Sequence, residues 1–508
     1  MKLLTPSQMR EVDQAAMTEY QIPGLLLMEH AAYQVFNYLK ENDDGKEIVI
    51  VCGPGNNGGD GFALARQLKA FSKCKVKILT LCSKEQLSED GKTYYSICQN
   101  MGVDLLHIIE DNKNVAFDII QNASVVVDAI FGTGLSRRVE GIFYEVIEAI
   151  NLGEHKVISI DIPSGINGLT GKVQGIGVKA DLTITFASPK IGLYLYPAIL
   201  YTGEVKVANI GIPEKLIQRI NTHYFSIEKD EMKAIVPKRE IRSNKGSFGK
   251  VLIIGGSLGM AGAISLTSMA AYRAGCGTVT TVVPKCIIEI MQQKLTEVMA
   301  IGIDDKEGHF SKEAESELRK IIPNYQVIAI GPGIGRSKEI RSLIIEVVSS
   351  DKPCIIDADA LYFVPEILEI IKARSAATIM TPHPGEMARL VGAAIEDILN
   401  DPIRYATEFA TKFNVITVLK LEKTVIAHTD GNIYINRYGN TGLAKGGSGD
   451  ALTGIITGLL AQHMLPIEAA ILGVYLQTRA ADLAKEVLSE YSFVASDVID
   501  LLGKVFLE

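Results

Sequence analysis

EIVIVCGPGNNGGDGFALARQLKAF, residues 47–71, passes from an apolar run through glycines into a helix-forming stretch. Residues 47–52 read as a buried strand, 53–61 as a loop and 62–71 as a helix. The pattern recurs in GKVLIIGGSLGMAGAISLTSMAAYRAG, residues 249–275, with a strand over 250–254. Between them GIPEKLIQRINTHYFSIEKDEMKAIVPKREIRSNKGSFG mixes Pro213, Pro237 and dense charge, the composition of a connection running over a surface. A boundary between 213 and 237 gives two domains, 1–215 and 230–508. Short strands alternate with helical segments: VKILTL, SVVVDAI, KVISIDI and DLTITFA first, then VTTVV, QVIAIG, PCIIDAD, ATIMTP and VITVLKL. This rhythm predicts α/β domains, each a mainly parallel sheet covered by helices on both faces, with ligands at the carboxyl ends of strands.

Composition agrees. A chain of 508 residues exceeds one ordinary core. With 47% hydrophobic and 22% charged residues it is globular. Lys and Arg total 51 against 59 acids, a net charge of −8, and no basic stripe is present, so nucleic acid is not an expected partner. No apolar run approaches the roughly 18 residues that cross a bilayer. MKLLTPSQMREVDQAA lacks the apolar stretch of a secretory signal, so a cytoplasmic location is expected. The 7 cysteines are scattered without C-x-x-C, and the 8 histidines show no H-E-x-x-H. Buried free thiols and no transition-metal centre are expected, while hard cations stay open.

In the first half, GPGNNGGDG follows a strand and opens a helix, so its N–H groups can cradle phosphate. It is not a G-x-x-x-x-G-K-[ST] loop. The two Asn and the Asp add side-chain oxygens of the kind a hard cation takes. VVVDAIFGTGLSRR ends a strand at Asp128 and turns through Gly132, Thr133 and Gly134 towards Arg137 and Arg138. Those arginines suit bidentate phosphate contact, or are simply solvated. VISIDIPSGINGLTG sets Asp161 beside Pro163, Ser164 and Gly165. Asn57, Asp128 and Asp161 at three strand ends are expected to converge, although any one alone could be a helix cap.

In the second half, NTGLAKGGSGDALTGIITGLLAQ places Asp450 after Gly446, Gly447 and Gly449 at a helix start. The helix dipole is expected to keep this carboxylate ionised, able to take a proton from a hydroxyl attacking a phosphoryl group. A plain cap is the bland alternative. Further strand ends carry GPGIG (331–335), DADAL (357–361), TPHPGE (381–386) and VLKLEKT ending at Thr424. His383 stands between two prolines.

NNGGDG, VDAIFGTGLSRRVEG, SIDIPSGINGLTG and PKIGLYLYP, with MREVDQAAMTEYQIPGLLLMEHAA ahead of them, resemble the NAD(P)H-hydrate epimerase family over residues 1 to 213. His30 stands where that family more often has Asn. The resemblance implies a Rossmann-like three-layer αβα domain. It also implies that Asn56, Asn57, Gly58, Gly59, Asp60, Gly132, Thr133, Gly134, Leu135, Ser136, Arg137 and Arg138 hold the substrate's phosphates and ribose. Asn57, Asp128 and Ser164 would coordinate potassium, and Asp161 would face the hydrated nicotinamide as the catalytic carboxylate. Residues 240 to 508 resemble the ADP- or ATP-dependent NAD(P)H-hydrate dehydratases, which implies a ribokinase-like fold. There Ala263, Gly333, His383 and Asp450 would contact the hydrated nucleotide, with Asp450 catalytic. Lys420, Leu421, Glu422, Lys423, Thr424 and Gly449 would bind the donor's adenylate. Leu421 and Glu422 replace small residues of that family, and Thr441 replaces a proline.

Together the two resemblances imply repair of hydrated NADH and NADPH: epimerisation at C6, then dehydration of the S form with ADP as donor, Mg2+ beside it and K+ in the epimerase site. A homo-oligomer is expected. Two rivals are a ribokinase-superfamily small-molecule kinase with a fused regulatory domain, and a nucleotide-sensing module whose first domain has lost catalysis.

Overall fold

β1 (Glu47–Cys52) sends Ile48 and Ile50 into one core and Val49 and Val51 into another, each residue fully buried. Successive side chains on a strand point to opposite faces, so such a run needs cover on both. The first core is closed by α1 (Pro6–Glu19), α2 (Gly24–Asn42) and α3 (Asn56–Phe71), the second by the helices Lys113–Gln121 and Ile142–Leu152. The computed structural model describes residues 1–508, which divide into Lys2–Tyr224 and a second unit of Phe225–Glu508 with Met1.

In the first unit β1 is joined by β2 (Lys75–Thr80), β3 (Asp104–His107), β4 (Val125–Ala129), β5 (Lys156–Ile160), β6 (Leu182–Phe186) and β7 (Glu204–Ala208). The order is β3-β2-β1-β4-β5-β6-β7, and every neighbouring pair is parallel. The order reverses between β1 and β4, which opens a crevice at their carboxyl ends. α1 begins with Pro6 after a capping box between Thr5 and Gln8.

The second unit holds β9 (Lys250–Ile254), β10 (Thr278–Pro284), β11 (Met299–Ile303), β14 (Val327–Ile330), β15 (Cys354–Ile356), β16 (Thr378–Met380) and β17 (Ile416–Leu419) in the parallel order β11-β10-β9-β14-β15-β16-β17. β18 (Val425–Ala427) and β19 (Ile433–Ile435) continue it antiparallel, and β8 (Tyr224–Ser226) lies at the far edge. A small separate hairpin pairs β12 (Asp305–Lys306) with β13 (His309–Phe310). Here the order reverses between β9 and β14.

Two local expectations are corrected. α3 starts at Asn56, so most of the expected loop is the first turns of a helix. Tertiary packing outweighs glycine's poor helix propensity there: a Cβ at Gly59 would lie 2.5 Å from Met28 Cε, and one at Gly61 2.7 Å from Cys52 Sγ. The charged connection is also structured, holding the helices Glu214–Arg219 and Lys229–Ile235 with β8 between them. No helix is long and apolar enough to cross a membrane.

Candidate active sites

In the first unit a cavity of about 590 Å³ opens at the carboxyl ends of β1, β4, β5 and β6. Asn56, Asn57, Asp60, Gly132, Thr133, Gly134, Leu135, Ser136, Arg137 and Asp161 line it, with Met9, Arg10, Asp13 and Met17 from α1 on another side. Gly58, Gly59 and Arg138 do not. The two loops are locked together, since a Cβ at Gly53 would lie 1.9 Å from the Ile130 carbonyl oxygen.

Asp161 follows β5 with a left-handed backbone, φ 66°. Its Oδ1 accepts from Lys190 Nζ, from Thr185 Oγ1 at 3.2 Å and from the Phe186 N–H at 3.3 Å. Lys190 is 1% exposed and also donates to Thr185 Oγ1 at 3.2 Å and the Phe186 carbonyl at 3.4 Å. Three more carboxyls line the cavity, those of Asp13, Asp60 and Asp90. Burial pushes Asp13 up to about 6, against the pull of Lys190, and pushes Asp60 well above the usual carboxylate range.

Beneath the cavity, Asp128 is fully buried. Its Oδ1 accepts from Ser164 Oγ at 2.5 Å, and its Oδ2 from the Ser164 N–H and Ser159 Oγ, each at 2.8 Å. No basic group offsets this carboxylate, and burial raises its pKa. The Ser164 hydroxyl accepts from the Phe131 N–H at 2.8 Å. Asn57 stands one residue further on, beside Gly132, with its buried amide Nδ2 unpartnered. His30 meets the Ile210 carbonyl at 3.0 Å.

In the second unit Asp357, just past β15 and 1% exposed, accepts from Lys420 Nζ at 3.0 Å and from Thr453 Oγ1 at 2.6 Å. Burial would raise its pKa, but Lys420 and Thr453 hold it below the usual range. Burial would likewise lower Lys420, yet Asp357 and Glu386 raise it. Lys420 Nζ lies 3.9 Å from Glu386. Glu386 accepts from the His383 N–H at 2.8 Å, and His383 Nδ1 in turn accepts from the Gly385 and Glu386 N–H groups at 3.0 and 3.3 Å, capping the helix Pro384–Val391. Burial, then Lys420, lowers the His383 pKa, so the ring is neutral with its proton on Nε2.

Asp450 lies in the first turn of the helix Ser448–Leu460. Burial and then Asp357 push its carboxyl up to about 6, which leaves it mostly ionised near neutrality. A Cβ at Gly449 would lie 3.3 Å from Lys420 Nζ, so the glycine lets the ammonium come up against the helix start. Gly333 and Ala263 abut after β14 and β9, a Cβ at Gly333 falling 3.1 Å from that of Ala263. Past Lys420 the expected donor segment diverges. Leu421 is half-buried, Glu422 exposed and Thr424 buried, while Lys423 is turned to the Arg437 carbonyl at 2.8 Å. Thr441 donates to Glu490.

Residues 24–192 match the model of the YjeF-related protein N-terminus, and residues 251–502 match that of NAD(P)H-hydrate dehydratase. The bifunctional NAD(P)H-hydrate repair enzyme Nnr of Moorella thermoacetica is 38% identical over 99% of this chain and 96% of its own length. The chain belongs to the bifunctional NAD(P)H-hydrate repair enzyme family. Its relative in Dictyoglomus turgidum is 35% identical over 99% of this chain and 98% of its own. Among solved structures, the ADP/ATP-dependent NAD(P)H-hydrate dehydratase of Bacillus subtilis, co-crystallised with ATP and Mg2+, aligns at 31% identity and TM-score 0.50 over 56% of this chain and 98% of that one. A ribokinase-like superfamily protein of Enterococcus faecalis aligns at 26% identity and TM-score 0.50, over 57% and 97%. The fold is thus Rossmann-like followed by ribokinase-like, and the protein is an epimerase and dehydratase of hydrated NAD(P)H rather than a small-molecule kinase.

In this repair enzyme Lys190, Asp13, Asp357, Glu386 and Thr453 are site groups that sequence reasoning did not single out. All five lay inside quoted stretches, Lys190 in PKIGLYLYP, Asp357 in DADAL, Glu386 in TPHPGE, Asp13 in MREVDQAAMTEYQIPGLLLMEHAA and Thr453 in NTGLAKGGSGDALTGIITGLLAQ. Asp13 and Thr453 carried no distinguishing signal among the polar positions of their helices.

Proposed function

We propose that the unit Lys2–Tyr224 interconverts the C6 epimers of NADHX and NADPHX and that Phe225–Glu508 dehydrates the S form. The observation that carries the second assignment is the pair of half-buried Lys420 with buried Asp357, whose ammonium comes against the helix start that bears Asp450. It fixes a cation and a base with a raised pKa at one helix start. Asp450 takes the C6 hydroxyl proton as that oxygen attacks the donor's terminal phosphorus, whose bond to the bridging oxygen breaks so that AMP leaves from ADP. The C6–O bond then breaks with the ring-nitrogen lone pair, phosphate departs, and loss of a C5 proton restores the ring of NAD(P)H. Ala263, Gly333 and neutral His383 hold the hydrated nucleotide. Lys420, Leu421, Glu422, Lys423, Thr424 and Gly449 receive the donor's adenylate, of which Lys420 and Gly449 adjoin Asp450. ADP is the proposed donor. Mg2+ would neutralise charge on its phosphates, in keeping with the ATP and Mg2+ of the Bacillus subtilis enzyme.

In the first unit the residues from Asn56 to Asp60 and from Gly132 to Arg138 hold the nucleotide, and Asp161 faces the ring. Asn57, Asp128 and Ser164 fit potassium. Asp128 is a buried carboxylate without a basic partner, Ser164 supplies a hydroxyl, and the orphaned Asn57 amide, turned over, offers its oxygen. The cation would neutralise Asp128 and brace both loops. The cytoplasm and a homo-oligomer are the proposed setting.

The test is recovery of reduced-nicotinamide absorbance from mixed R- and S-NADHX with ADP and with ATP. Full recovery is expected, faster with ADP. Recovery halting at the S fraction would refute the epimerase assignment.

A further inference from the structure

The carboxyl of Asp13 has no task in the assignments above. It belongs to α1, faces the same cavity as Asp161 and Lys190, and makes no hydrogen bond or ion pair. Lys190, the cation nearest in effect, is committed to Asp161. The other charged groups on the cavity wall are Asp60 from α3, Asp90, Arg137 and Arg10, the last on α1 itself. Asp60 is half-buried, and burial pushes its carboxyl well above the usual range. Among the carboxyls of this cavity, Asp161 is paired to a buried ammonium and Asp13, on α1, is unpaired, environments that separate a base from an acid.

We propose that Asp13 is the proton-donating partner of Asp161 in epimerisation, an inference that rests on the reading of Asp161 as the carboxylate facing the ring. Protonated Asp13 gives its proton to the C6 hydroxyl, the C6–O bond breaks, and water leaves as the N1 lone pair forms the C6=N1 iminium. A water on the opposite face adds to C6 and gives its proton to ionised Asp161. The balance is one water out, one water in and one proton moved from Asp13 to Asp161, with no net oxidation. These steps run from the S epimer; exchange with solvent then takes the proton from Asp161 and returns one to Asp13, closing the cycle, and the R epimer runs the same steps backwards. The shift of Asp13 to about 6 supports this role, since an unpaired surface aspartate would hold almost no proton near neutrality.

The test uses the full chain with isolated S-NADHX and no phosphoryl donor, so that only epimerisation is read, by chromatography of the two epimers. Asp13→Asn is expected to lower kcat about 100-fold or more, the scale of general-acid catalysis, with KM changed less than about threefold. The wild-type rate should decline above pH 6 as Asp13 loses its proton, and this limb should vanish in Asp13→Asn. Asp13→Glu should restore part of kcat and displace the limb. An Asp13→Asn rate within about threefold of wild type, or an unchanged alkaline limb in either variant, overturns the proposal. Should Asp13→Asn melt early, the limb in Asp13→Glu decides. Asp161→Asn separates the two readings. If it stays active, the Asp161 reading fails; if it is dead while Asp13→Asn is active, only the present inference fails.

Discussion

The ammonium of Lys190, 1% exposed, donates to a carboxylate that is itself only 16% exposed, that of Asp161. The pair fixes Asp161 at the cavity wall through its Oδ1. Lys190→Met is expected to lower epimerase kcat on the order of 100-fold and stability by about 2–3 kcal/mol, somewhat under the value for a wholly buried pair. Epimer interconversion and denaturant unfolding followed on the same preparation check both. Dehydration of S-NADHX should be unchanged.

Asp450 acts as a base only when ionised, and its pKa is about 6. Dehydration of S-NADHX is therefore expected to fall as pH drops through 6 and to level off above it. Asp450→Asn should abolish that dependence and cost roughly 10²–10⁴ in kcat. A profile of kcat for S-NADHX with saturating ADP gives the answer.

Gly449→Ala would put a methyl 3.3 Å from the Lys420 ammonium, tight enough to make the lysine give way. The expected result is a rise of about tenfold in KM for ADP with a smaller change in kcat, since the ammonium shifts while Asp450 stays. Initial rates at varied ADP and fixed S-NADHX show the split.

If the proposed potassium site is correct, replacing potassium by tetramethylammonium should slow epimerisation, because that ion's methyl groups keep oxygen ligands from its charge. Asp128→Asn removes the charge that draws the cation and should weaken apparent potassium affinity on the order of tenfold or more. Epimerisation rates titrated with potassium chloride at constant ionic strength measure this.

The alternation of strands and helices was legible because Ile48–Cys52 and Val251–Ile254 are apolar on both faces, the mark of a parallel strand under helices. Asp161 and Asp450 were legible because polar residues at strand ends and helix starts have few packing roles. Lys190 was not, since nothing in PKIGLYLYP tells a lysine turned inward from one in solvent; its burial depends on Asp161, 29 residues away in the chain. The start of α3 at Asn56 escaped for a similar reason: glycines forbid a helix by local propensity, and only the facing Met28 and Cys52 make them necessary. The raised pKa of Asp450 arises first from burial and then from Asp357, both products of tertiary packing.

Asp161 sits at φ 66°, a conformation that Asn and Asp accept far more readily than most other side chains. Evolution thus has little room at this position. The substitution the backbone tolerates best, Asn, is also the one that removes the charge, and a single base change in the codon produces it. A lineage relieved of selection for epimerisation would pass in one step to a folded, nucleotide-holding shell without turnover, and the same single step leads back.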